Sequence, residues 1–278
     1  MTAVRPGVSD KRKTFFQLHQ SGCFVIPNPW DVGSARFLQS LGFKALATTS
    51  SGFAWSQGRP DCGISLEMAL DHLRHIVAAT DVPVNADFQN GFAHDPQAVG
   101  EHVRQAIATG IAGVSIEDST GEQARPLYDL DTSVARIRAA RSAIDKAGGD
   151  VLLVGRAECF VAGRPDLPET LARLKAYAQA GADCLFAPGL RTRDQITAVV
   201  AAVAPKPVNL LVGAPGEFTV AQIGALGVRR ISVGGALARA AWGAFMLSAR
   251  AIAQQGSFEA LREAPSHGQL DSLFHEPG

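Results

Sequence analysis

The feature that most constrains this chain is an eightfold alternation. Short runs rich in apolar and β-branched residues recur at 23–27, 45–49, 83–87, 113–117, 151–156, 184–187, 208–212 and 230–234, with helix-like stretches between them. Stretches such as SLEMALDHLRHIVAAT and DPQAVGEHVRQAIATG carry apolar residues three and four apart and end in Gly or a turn, as amphipathic helices do. Strands covered on both faces by helices read as nearly continuous apolar runs, and these do. Eight such units predict an α/β chain folded as a single-domain (β/α)8 TIM-type barrel over residues 1–255, with a helical C-terminal tail over 256–278. A doubly wound open sheet is the competitor. The count of eight, and the lack of G-x-G-x-x-G after the first run, argue for the barrel. The phrases AIATGIAGVSIED, AQAGADCLFAP and LGVRRISVGG each join a Gly-terminated helix to a strand start, as a repeated unit would.

The length of 278 residues suits one barrel core. Lys+Arg and Asp+Glu balance at 26 each, so there is no broad basic field for a phosphate backbone, and nucleic acid is excluded as a partner. No apolar run is long enough to span a bilayer and the start lacks a signal-peptide core, which predicts a cytoplasmic protein with no membrane partner. Cys23, Cys62, Cys159 and Cys184 form no C-x-x-C pair, so reduced thiols are expected. Residues 236–255, ALARAAWGAFMLSARAIAQQ, predict a long apolar helix that either packs on the barrel or serves as an oligomer contact.

In such a barrel the chemistry sits at the carboxyl ends of the strands. Here those ends carry Asn85-Ala86-Asp87, Glu117-Asp118 and Arg156-Ala157-Glu158, while Thr48-Thr49-Ser50-Ser51-Gly52 and then Asp61 follow the second run. Carboxylates converging from neighbouring strands repel one another unless protons or a cation compensate. Mg2+, with Mn2+ as its substitute, is the simplest compensation: Asp87 as direct ligand, with Asp61, Asn85 and Glu117 holding its waters. The bland alternative for any one acid is a helix cap or an Arg partner. The Ser51-Gly52 turn offers N–H groups and hydroxyls to an oxyanion, and Arg156 offers a bidentate clamp for a carboxylate. His72 and His75, three apart, are read as a solvated helix face, and Cys62 and Cys159 as inert small residues near the site.

The phrases TTSSGFAWSQGRPD, VPVNADFQNGF, GVSIEDS and GRAE together resemble the isocitrate lyase/phosphoenolpyruvate mutase superfamily, from about Asn28 to Gln255. The resemblance implies Mg2+-dependent chemistry on a carboxylate-bearing carbon through an enolate. It implies an oxyanion turn at Ser51, Gly52 and Phe53, a Mg2+ shell at Asp61, Asn85, Asp87 and Glu117, and substrate contacts from Arg156 and Asn209. It also implies a homo-oligomer, a dimer or tetramer, built through the C-terminal helix.

Three departures narrow this. Asn85 stands where the family has Asp. The loop after Asp118, STGEQARPLYDLD, lacks the K-K-C-G-H of the lyase branch, and Pro188-Gly189 replace a substrate-facing Glu. The expectation is therefore a Mg2+-dependent lyase acting on a small 2-oxo or 2-hydroxy carboxylic acid, by C–C cleavage or decarboxylation. Ser51, Glu117 and Arg156 are its catalytic candidates, with Glu158 and Tyr128 as further acid or base candidates. One alternative is P–C bond chemistry, as in phosphonopyruvate hydrolysis or phosphoenolpyruvate mutation, for which Arg125 and Arg164 would supply cations. Another is a non-catalytic oxo-acid-binding barrel.

Overall fold

A computed structural model describes residues 5–216 and 218–274. After α1 (Val8–Leu18) the chain alternates β1 (Phe24–Ile26), α2 (Val32–Ser40), β2 (Leu46–Ala47), α3 (Ser50–Ser56), α4 (Leu66–Ala79), β3 (Val84–Asp87), α5 (Pro96–Ile107), β4 (Gly113–Glu117), α6 (Leu130–Lys146) and β5 (Leu152–Arg156). It continues through α7 (Leu167–Gln179), β6 (Cys184–Phe186), α8 (Arg193–Val203), β7 (Val208–Leu211), α9 (Val220–Ala225), β8 (Arg230–Ser232), α10 (Ala236–Gln255) and α11 (His267–Phe274). All eight strands are parallel: from β2 to β8 each pairs with the next in sequence, and β1 pairs with β8. The Ala47 N–H donates to the Pro27 carbonyl at 3.1 Å and links the β1 and β2 edges. The expected (β/α)8 barrel is the observed one.

Local chemistry sets the helix starts. Asp31, Thr49, Ser65, Asp95, Asp129, Asp166, Thr192 and Thr219 each precede a helix, and each side chain accepts an N–H from its first turn. The two-residue period of the strands then sorts side chains into two cores. Val84, Ala86, Val114, Ile116, Leu153, Leu185, Leu210 and Ile231 face the helices and form the large core with residues such as Ile76, Val103, Ile137 and Leu174. Ile26, Ala47, Leu152, Val154, Cys184 and Phe186 face the barrel axis, where Phe15 of α1 joins them. Gly113 makes that plug fit: a Cβ there would lie 2.6 Å from both Phe15 Cε1 and Asn85 Oδ1.

Helix α10 buries only Ala238 and exposes Trp242, Phe245, Met246 and Leu247. Its aromatic stripe therefore does not pack on the barrel. After a short 3-10 turn at Glu259–Leu261, α11 returns against α2.

Candidate active site

Residues two apart on a strand share a face, so Asn85 and Asp87, Ser115 and Glu117, Asn209 and Leu211, and Arg230 and Ser232 all turn inward with Arg156. They line a cavity of about 410 Å3 whose rim is built by the loops after the strands, including Ser50, Ser51, Asp61 and Cys62.

Arg156 organises the mouth. Its Nη1 lies 3.2 Å from both Asp87 Oδ1 and Glu117 Oε2, its Nη2 donates to Glu158 Oε2 at 3.3 Å, and its Nε pairs with Glu158 Oε1. The other Asp87 oxygen accepts the Ser50 N–H at 2.8 Å and the Ser50 hydroxyl at 2.9 Å. Burial, partly offset by Arg156 and reinforced by Glu158, Asp87 and Asp118, pushes Glu117 up to about 8. Burial also raises Glu158 and Asp61. Burial opposes the charge of Arg156, but Glu158, Glu117 and Asp87 outweigh it and hold the guanidinium protonated.

Adjacent acids part company here. Glu117 faces the cavity, whereas Asp118 turns outward into the helix layer. There it takes Arg173 Nη1 at 3.0 Å, the Tyr177 hydroxyl at 2.6 Å and the Glu158 N–H at 2.8 Å. Asn85 lies one side-chain layer below Asp87. Its Nδ2 donates to Ser115 Oγ at 3.0 Å, and its Oδ1 faces Arg230 Nη1 at 3.4 Å. The amide oxygen of Asn85, the atom that would face a cation or its waters, is turned to a guanidinium, while Asn85 still lines the same cavity as Asp61, Asp87 and Glu117. Asn209 is likewise a floor residue, donating to Ser232 Oγ at 2.9 Å and accepting from Arg230 Nε at 2.9 Å.

The Ser51-Gly52-Phe53 turn is the first turn of α3. Ser50 N–H goes to Asp87, Gly52 N–H to Thr49 Oγ1 and Phe53 N–H to the Thr49 carbonyl, which leaves Ser51, a cavity-lining residue, with its N–H uncommitted. Phe53 instead stacks on His72, ring centroids 4.0 Å apart. The expectation of a solvated His72 is thereby corrected: it is buried, and only His75 is exposed. Burial lowers the His72 pKa to about 4. Cys62 lines the rim, its thiol pushed up to about 11 by burial and by Asp61, Glu117 and Asp87, while Cys159 is fully buried. Tyr128, Arg125 and Arg164 line a separate outer cavity of about 530 Å3. They do not reach the barrel floor.

Sequence reasoning missed Asn28, Ser115, Ser232 and Arg230. Asn28 Oδ1 accepts the N–H groups of Val233 and Gly234 at 2.9 and 2.8 Å and its Nδ2 donates to the Thr48 carbonyl at 3.0 Å, tying three strand ends together. The available signal was parity: Ser115 is two residues before Glu117, and Arg230 and Ser232 alternate with apolar Ile231.

The carboxylates at the mouth converge on Arg156, and among the described residues no three His, Cys, Asp or Glu side chains are arranged around one point. The donor set nevertheless suits a hard divalent ion. Four carboxyl groups, of Asp61, Asp87, Glu117 and Glu158, face two guanidiniums, of Arg156 and Arg230, the carboxyl donors are all oxygens, and the one thiol at the rim resists ionisation.

Residues 15–253 match the family model for phosphoenolpyruvate phosphomutase. The barrel superposes with a TM-score of 0.94 on a lyase/mutase candidate from Burkholderia cenocepacia J2315, which is 45% identical, with 97% of this chain and 98% of that one covered. The chain is 31% identical to the oxaloacetate decarboxylase of Bradyrhizobium sp. (strain ORS 278) over 251 residues, 88% of this chain and 82% of that protein. An oxaloacetate acetylhydrolase crystallised with its product oxalate is 26% identical, with a TM-score of 0.85 and coverage of 95% and 94%. By this family match and the strand-end site that accompanies it, the chain belongs to the phosphoenolpyruvate phosphomutase family, within the isocitrate lyase/phosphoenolpyruvate mutase superfamily.

Proposed function

We propose that this protein is a Mg2+-dependent lyase that decarboxylates or cleaves a C–C bond of a small 2-oxo or 2-hydroxy carboxylic acid. The observation that carries the reading is the gathering of four carboxyl groups against two guanidiniums in a cavity of about 410 Å3, room for a small acid. The similarity to oxaloacetate decarboxylases and to an oxaloacetate acetylhydrolase supports the same substrate class.

Asp61, Asp87 and Glu117 would hold Mg2+, with Mn2+ as substitute. The ion would supply the positive charge that stabilises an oxyanion developing on the 2-oxo group. The chain's own residues do the rest. Ser51 offers its N–H and hydroxyl to the same oxygen. Arg156 holds Asp87, Glu117 and Glu158 in place and keeps their mutual repulsion in check. Glu117, whose carboxyl keeps its proton near neutral pH in the ion-free site, would release that proton when Mg2+ binds and remains the catalytic candidate among the acids. The apolar stripe of Trp242, Phe245, Met246 and Leu247 on α10 supports assembly into a dimer or tetramer.

Oxaloacetate, phosphonopyruvate and 2-methylisocitrate, each assayed with Mg2+ and with chelator, test the reading. Oxaloacetate turnover that chelation abolishes, and that Asp87→Ala reduces by at least about 100-fold, is the expected result. Preferential turnover of phosphonopyruvate would move the reaction to the P–C bond. Full activity of Asp87→Ala on the best substrate would remove the site.

A further inference from the structure

Arg156 is already committed to three carboxylates, so a substrate anion approaching it meets Asp87, Glu117 and Glu158 as well. The second guanidinium in the cavity is placed differently. Arg230 is buried, 2% exposed, yet it lines the cavity. Its hydrogen-bond partners are neutral: the side-chain oxygens of Asn209 and Asn85. Among the described residues it forms no ion pair. His19, close enough to feel the Arg230 charge, adds no negative charge: burial and that guanidinium lower its pKa to about 3.

A buried guanidinium without a carboxylate is costly to retain, and here its surroundings are uniform in polarity. Arginine has no acceptor, so the two amides must turn their oxygens toward it. Their NH2 groups then point outward, to Ser115 Oγ at 3.0 Å and Ser232 Oγ at 2.9 Å. Having accepted these bonds, both hydroxyls keep their own protons to donate. Arg230 Nη2 makes no hydrogen bond to the described residues and is not among the fully enclosed polar atoms. The floor therefore presents donors: guanidinium N–H, Ser115 O–H and Ser232 O–H. The mouth, by contrast, is rich in acceptors.

We propose that this floor, formed by Arg230 with Ser115 and Ser232, binds a carboxylate of the substrate, a group that accepts hydrogen bonds and donates none. The proposal deepens the lyase reading and rests on it for the class of substrate. From the Asn85 layer to the Asp87 layer is two strand residues, roughly 6.6 Å. That depth suits a dicarboxylate of about four carbons standing along the barrel axis, its bonds being about 1.5 Å each. The amides act as positioning residues: they aim the guanidinium and the two hydroxyls without offering the anion a competing acceptor.

The test uses malonate, an unreactive dicarboxylate, titrated calorimetrically into the full chain, with the neutral malonamide as control. Wild type binds malonate. Arg230→Met weakens it by about 100-fold, the scale of a lost charge-assisted pair, leaves malonamide unchanged, and melts no lower than wild type because a buried uncompensated charge has gone. The paired Ser115→Ala and Ser232→Ala variant, which leaves the guanidinium in place, weakens malonate by about 10-fold and keeps the proposal testable if Arg230→Met does not fold. Malonate binding unaffected by either variant, or no malonate binding by wild type, overturns the subsite. Malonate binding that depends on Arg230 in a protein that turns over no 2-oxo acid supports the subsite and sinks the lyase reading alone.

Discussion

Replacing Asp118 by Ala is expected to loosen the active site from behind without touching the cavity. Asp118 and Arg173 are 3.0 Å apart, with side chains only 2% and 7% exposed. Two unit charges at that distance attract by about 5–6 kcal/mol at an effective dielectric of about 20. The net cost of removing Asp118 is smaller than this gross figure, because Arg173 keeps Glu169 at 2.8 Å and the Tyr128 carbonyl at 3.0 Å. The low end of the range for breaking a buried pair, about 3 kcal/mol, therefore applies. The Tyr177 hydroxyl and the Glu158 N–H lose their acceptor as well, adding about 1 kcal/mol. A total near 4 kcal/mol in a chain of this size corresponds to a fall of about 8–12 °C in Tm. Asp118→Asn keeps the shape and one acceptor and should fall about half as far. Thermal melts followed by circular dichroism at pH 7.5 make the comparison. If Asp118→Ala melts within about 2 °C of wild type, the buried network is not what anchors β4 to β5 and α7.

His72 predicts acid sensitivity. Its pKa is lowered to about 4 by burial, so its stabilising contribution is complete above the unfolded value near 6.5 and is lost as the pH falls toward 4. At pH 5 the loss is about 2 kcal/mol. His72→Phe, which preserves the stack on Phe53, should recover that amount at pH 5 and change little at pH 7.5, as read from urea midpoints at the two pH values. Equal effects at both pH values would mean that His72 does not titrate in this way. Gly113→Ala would press a methyl group against Phe15 and Asn85, contacts of 2.6 Å each, at a cost of about 2 kcal/mol. An unchanged urea midpoint for that variant would show that the α1 plug yields easily.

The barrel was legible because its determinants are local. Continuous apolar runs such as LLVGR and VNLL declare strands buried on both faces, and Ser, Thr and Asp caps mark where helices begin. The strand-end acids were legible too, since a barrel gathers its strand carboxyl ends on one face whatever the details. Tertiary structure decided which of those groups meet. Spacing places Asn85 beside Asp87, but its contact with Arg230, 145 residues away, exists only once the ring of strands has closed. His72 belonged by pattern to an exposed face until Phe53, from the preceding helix, covered it. The strand end marks Arg156 as a site residue, yet its three carboxylate partners come from β3, from β4 and from two residues beyond itself. The backbone's own periods assign each residue a face, so one stretch of sequence suffices to read them. Charge pairing depends on register and closure between distant strands, and no single stretch of sequence contains that information.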